Sequence, residues 1–165
     1  MNALVLGIGN ILLSDEGVGV RAVEALNENY VFPEGVDLID GGTAGFELLS
    51  MISNREHLII IDAIACGQEP GTVVRIEGDD VRATFSERIS PHQLGISDVL
   101  AACSLTGEMP GNLVLFGVEP KDMQTSLHLS DEVAASLPKL IDSVARELVA
   151  IGCDPLADVS SVEAG

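Results

Sequence analysis

Glu16, Asp62 and His92 lie far apart in this 165-residue sequence, yet together they offer two carboxylates and one imidazole. That borderline donor set suits a divalent transition metal with coordination positions left open. Each residue also has a plainer reading. Asp15 and Glu16 stand at the expected start of a helix, where the dipole favours carboxylates, and capping accounts for only one of the two acids. Asp62 closes an apolar run and can bond nearby backbone amides as an ordinary turn residue. His92 falls in the expected first turn of a helix, where the positive dipole end disfavours imidazolium and keeps the ring neutral and able to ligate a metal. His57, entering a strand, and His128, just before a helix cap, read as structural.

Other chemistries fit less well. Gly7 and Gly9 follow a first strand as in a dinucleotide site, but Leu12 occupies the third glycine position. The nearest strand-terminal acid, Asp40, comes about thirty residues later instead of about twenty. The sequence contains no HExxH helix of the kind used by zinc peptidases. No Ser/His/Asp or Cys/His arrangement is indicated. Cys66, Cys103 and Cys153 are an odd set without CxxC spacing, which fits a reducing cytoplasm better than a disulfide framework.

The elements that must carry these residues alternate. Ala3 to Gly7 and Val36 to Ile39 are short apolar runs expected as strands, the second closing on Asp40-Gly41-Gly42-Thr43. Leu58 to Ile61 is a third strand, ending on Asp62. Between them, Gly19, Ala22, Val23, Leu26 and Tyr30 recur at helical spacing, and Phe46, Leu49 and Ile52 outline a short helix. Thr72 to Ile76 is expected to run antiparallel, because about ten residues are too few for a parallel crossover. Ser90-Pro91-His92-Gln93 reads as a capping box opening a helix that buries Ile96, Val99, Leu100 and Cys103. Leu113 to Phe116 gives a fifth strand. Ser130 to Ile151 gives a last helix with Val133, Leu137, Ile141, Val144 and Leu148 inward, bent or begun at Pro138.

The pattern predicts a three-layer α/β sandwich: a five-stranded, mostly parallel sheet with one antiparallel strand and helices on both faces. One domain over 1–152 and a flexible tail over 153–165 are expected. Such sheets bind ligands at the carboxyl ends of strands where strand order reverses, which would bring Glu16 and Asp62 together with the His92 helix over the same edge.

Composition narrows the partners. With 47% hydrophobic residues the chain can bury a proper core, and 26 acids against 8 bases give a net charge of −18. That sign opposes binding to nucleic acid or anionic lipid. No basic residue precedes Arg21 and no uncharged run approaches membrane-spanning length, so neither an export signal nor a membrane span is expected.

Taken in order, Gly7-Ile-Gly9-Asn10 with Asp15-Glu16-Gly-x-Gly19, Asp40-Gly-Gly-Thr43-Ala-Gly, Asp62-Ala and Ser90-Pro-His92-Gln-Leu-Gly resemble the [NiFe]-hydrogenase maturation endopeptidases. The resemblance covers about Met1 to Val149. It implies a cytoplasmic protease that removes a C-terminal extension from the hydrogenase large-subunit precursor after nickel insertion. Glu16, Asp62 and His92 match the family's nickel-contacting positions. The nickel arrives with the substrate, so no permanently bound cofactor is expected. Asp40 is the implied catalytic residue, and Gly41, Gly42 and Thr43 are the implied substrate contacts, with glycine allowing close approach of an extended backbone. Two alternatives remain open: a nickel-sensing chaperone that does not cut, and a receiver-like signalling domain.

Overall fold

The computed structural model describes residues 2–42, 44–87 and 95–158. Its central strand, β1 (Ala3–Ile8), is apolar throughout and buried on both faces. Ala3 and Val5 enter one hydrophobic cluster, Leu4 and Leu6 the other. This period of two separates the layers. Beside β1 run β3 (Val36–Gly42) and β4 (His57–Ala63), both parallel to it; β6 (Asn112–Val118) continues the parallel set beyond β4. β5 (Val73–Glu77) closes the sheet antiparallel to β6, as the short connection requires. The order is β3-β1-β4-β6-β5. The chain therefore places β3 on one side of β1 and β4 on the other, and this reversal opens at the carboxyl ends of the three strands.

Two helices cover one face. Val18, Ala22, Val23 and Leu26 of α1 (Val18–Asn29) pack there with Val133, Leu140, Val144 and Leu148 of α5 (Asp131–Ala150). The other face is covered by α2 (Glu47–Ile52), α3 (Asp79–Ser86) and α4 (Ile96–Thr106), through Leu48, Ile52, Val81, Phe85, Val99 and Leu100. Each such aliphatic or aromatic side chain contributes about 1.5–3 kcal/mol on burial. The expected three-layer sandwich is the observed one.

Several local expectations are corrected. Phe46 is half exposed and Leu48 faces inward in its place, because α2 begins only at Glu47. Along α5, Leu140 is buried while Leu137 and Ile141 are only partly so, and the helix runs unbroken through Pro138. α4 starts at Ile96, not at Pro91. Gly95 is its extended N-cap, and the Asp98 carboxylate accepts the Gly95 N–H at 3.0 Å. Ser90–Gln93, assigned above to the helix start, lies outside the described residues and upstream of that cap. Of the expected tail, residues 159–165 lie outside the described residues; before them, Cys153 is buried and β7 (Ala157–Asp158) pairs antiparallel with β2 (Tyr30–Val31). Among the described residues no helix is long and apolar enough to cross a membrane.

Candidate functional site

The carboxyl end of β1 runs into Gly9, whose φ of +122° is a conformation reserved in practice for glycine. Its N–H donates to the Gly42 carbonyl at 2.9 Å and ties the end of β1 to the end of β3. A β-carbon on Gly9 would collide with the Glu16 carbonyl oxygen and would stand 3.6 Å from Asp62 Oδ1. The turn carrying Glu16 and the carboxylate of Asp62 thus close on the same α-carbon. Of the predicted trio, the strand reversal thus sets the Glu16 backbone and the Asp62 carboxylate beside one residue.

Asp62 is 3% exposed at the end of β4, and its Oδ1 accepts the Ala63 N–H at 2.8 Å. Strand alternation puts it on the face of Ile60, the face covered by α3 and α4. His92 belongs to the segment joining those two helices but lies outside the described residues. Glu16 occupies a single 3₁₀ turn, Ser14–Gly17, ahead of α1, and its side chain is half-buried. Among the described residues its carboxylate accepts no hydrogen bond. The described residues alone bring no three His, Cys, Asp or Glu together as a metal cage.

Asp40 lies two residues before the end of β3 and is exposed. Its register partner is Gly7, which in turn pairs with Ile61. It therefore lies two strand spacings, about 10 Å, from the β4 backbone. That distance separates Asp40 from the strand that carries Asp62. The next residues form a bulge, Ile8 pairing with Gly42 instead of Gly41. Gly41 is packed closely: a β-carbon there would sit 2.8 Å from Leu6 Cδ1 and 3.2 Å from the Gly7 carbonyl oxygen. Gly42 is required by its φ of +47°. A β-carbon there would lie 3.4 Å from Asp40 Oδ1, so Asp40 leans over the bulge. Thr43 lies outside the described residues.

One residue of the site was misread from sequence. Asp15 is fully buried and is no helix cap. Its Oδ2 accepts the N–H groups of Lys121 and Asp122, both at 2.9 Å, and the Ser130 hydroxyl at 2.8 Å; its Oδ1 accepts the Ser130 N–H at 2.7 Å. Burial pushes its pKa up, but these backbone amides and the hydroxyl more than offset that and hold the carboxyl below the usual carboxylate value. The same Ser130 hydroxyl caps α5 by accepting the Val133 N–H. Asp15 thereby locks the β6–α5 loop against the turn that carries Glu16. Ser14 adds two bonds, from its N–H to the Ser126 carbonyl and from its hydroxyl to the His128 carbonyl. The partners lie more than 100 residues downstream, and nothing local in the sequence signals them.

Glu119, just past β6, is buried and accepts the N–H groups of Cys66 and Gly67. A receiver domain needs a lysine at that point. Cys66 is exposed, with its thiol pushed up by burial of the sulfur and by Glu119. Such a thiol is poorly ionised and a weak nucleophile. His57 bonds Asn112 at the opposite, amino edge of the sheet. His128 is exposed.

A family model described as hydrogenase maturation protease matches residues 20–147. The chain is 46% identical over 157 residues to the hydrogenase 2 maturation protease of Escherichia coli strain K12, covering 94% of this chain and 96% of that one. It is 48% identical over 124 residues to the hydrogenase expression/formation protein HupM of Azotobacter chroococcum mcd 1, covering 74% of this chain and 59% of the relative. Among solved structures it resembles the E. coli hydrogenase maturating endopeptidase HybD at a TM-score of 0.90 and 46% identity, covering 94% and 96%. A [NiFe] hydrogenase maturation protease HybD from Thermococcus kodakarensis matches at 0.68 and 27% identity, covering 90% and 99%.

Proposed function

The chain belongs to the hydrogenase maturation protease family, and from that premise we propose that it cuts the C-terminal extension from a [NiFe]-hydrogenase large-subunit precursor already loaded with nickel. The observation that supports the nickel part is that the Glu16 backbone and the Asp62 carboxylate both lie against Gly9, at the mouth of the strand reversal. The two carboxylates supply oxygen donors, and His92, on the segment between α3 and α4, supplies the nitrogen. All three side chains meet a nickel ion that belongs to the substrate, so the enzyme needs no metal of its own. Docking on that ion fixes the precursor in one register, and orientation of this kind is worth several kcal/mol in a bond-breaking step.

Asp40 acts at the peptide. Separated from the β4 backbone by two strand spacings, it stands where a chain leaving the ion would pass along the end of β3. In the proposed reaction a water adds through its oxygen to the scissile carbonyl carbon, giving its proton to a carboxylate. The C–N bond then breaks, and that proton passes to the departing amine. Gly42 keeps the approach to Asp40 free of side chains, with Gly41 and Thr43 completing the substrate contact. The reaction takes place in the cytoplasm, where the large subunit acquires its metal.

The test is the mass of the precursor before and after incubation with purified enzyme. A shortened C-terminus supports the proposal. A precursor that binds the chain and keeps its mass would make the chain a nickel-sensing chaperone.

A further inference from the structure

The sheet ends on β3, and the outer edge of that strand is open beside the site. The Ala3 N–H donates to the Gly35 carbonyl, and the parallel register Ala3–Val36 to Gly7–Asp40 then sets which residues face β1. Asp37 and Ile39 turn their backbone groups toward β1; Val36, Leu38 and Asp40 turn theirs outward. The Val36 N–H is taken by the Pro33 carbonyl in a turn. Among the described residues nothing bonds the N–H or C=O of Leu38 or Asp40. The other edge, β5, differs: Arg75 and Glu77 guard it with an ion pair, a second pair joins Arg75 to Glu147, and its antiparallel direction carries its end away from the site.

From this we infer that the outer edge of β3 over Leu38–Gly42 binds the precursor's extended peptide as an added sixth strand, pairing with the backbone of Leu38 and Asp40. This rests on the protease reading. The occupant follows from continuity: the edge ends at Asp40 and the glycine bulge, and Gly42 is hydrogen-bonded to Gly9, the residue on which Glu16 and Asp62 close. A peptide docked through its nickel and cut at Asp40 must cross this edge. The strand's side chains say more about the peptide. Val36 and Leu38 pack only partly into one core cluster and Ile39 only partly into the other. An added strand would cover what they leave exposed on both faces, which favours apolar or β-branched residues at successive positions near the cut. Backbone pairing gives affinity without a strict sequence requirement, and such flanking contacts supply the preference.

Leu38→Pro removes the outward N–H while sparing the ladder to β1, a substitution that edge strands tolerate. With nickel-loaded precursor we expect KM to rise about tenfold and kcat to change less than twofold. An unchanged KM in a folded variant would overturn the inference. Because that variant can misfold, a second measurement uses the unmodified chain. Amide exchange is followed by nuclear magnetic resonance with and without millimolar synthetic peptide spanning the scissile bond. Slowed exchange at Leu38 and Asp40, with Asp37 and Ile39 already protected, supports the added strand; unchanged exchange at both refutes it. The two readings fail separately: slowed exchange with no shortening of the precursor leaves the edge site and removes the protease activity, whereas shortening with unchanged exchange does the reverse.

Discussion

Neighbouring acids in the Asp15-Glu16 pair should respond to substitution in opposite ways. Asp15→Asn preserves shape and removes the charge. One side of an amide can still accept, but its NH2 then faces an N–H or hydroxyl donor where Asp15 now accepts four bonds. Hydrogen bonds to a charged group are worth about 1.5–3 kcal/mol each, and a buried donor left unpaired costs about 1–3 kcal/mol. A net loss of about 3 kcal/mol follows. At this chain length that lowers Tm by about 6–12 °C. Asp15 ionises more readily folded than unfolded, so its stabilisation is complete above its unfolded pKa near 3.8 and disappears as pH falls through the lower folded value. The Tm gap between wild type and Asp15→Asn should therefore be full at pH 7 and shrink below about pH 4. Glu16→Gln should leave Tm within about 2 °C, because its half-buried side chain accepts no hydrogen bond among the described residues, and should abolish precursor processing. Thermal melts across pH, paired with processing assays, decide the matter. An Asp15→Asn protein melting within 2 °C of wild type at pH 7 would refute the claim that Asp15 locks the β6–α5 loop to the Glu16 turn.

Asp62→Asn and His92→Ala should each reduce processing at least a hundredfold with circular dichroism unchanged; retained cleavage in either would remove it from the nickel contacts. Gly9→Ala should fail to fold or lose more than about 3 kcal/mol in urea unfolding, since the new methyl strikes the Glu16 carbonyl in a backbone conformation hostile to alanine. Cys66→Ser should process precursor at the wild-type rate, and alkylation of the exposed Cys66 should not inhibit; inhibition by either route would revive a thiol nucleophile.

The sheet was legible because its strands are apolar runs ended by acids or glycine, and because the nine-residue link before β5 permits only an antiparallel return. Asp62 was readable as a lone acid closing such a run. α3 was missed because only Val81 and Phe85, four residues apart, turn inward from an otherwise polar segment. The start of α4 was misplaced because Ser90-Pro91-His92-Gln93 carries capping chemistry, while the cap in use is Gly95 with Asp98, a pairing with a weaker signature. Asp15 looked like a capping acid because local rules describe only nearby amides, and its own amides come from the far end of the chain. Asp40 and Asp62 both close strands, yet only the strand order reveals that β1 stands between them.

The most direct measurement is the mass of the precursor's C-terminus after equal incubation of nickel-loaded and nickel-free forms with wild-type enzyme. The account predicts that the loaded form is shortened and the nickel-free form stays whole. Equal shortening of both would contradict recognition through the metal, and shortening of neither would contradict the proteolysis itself.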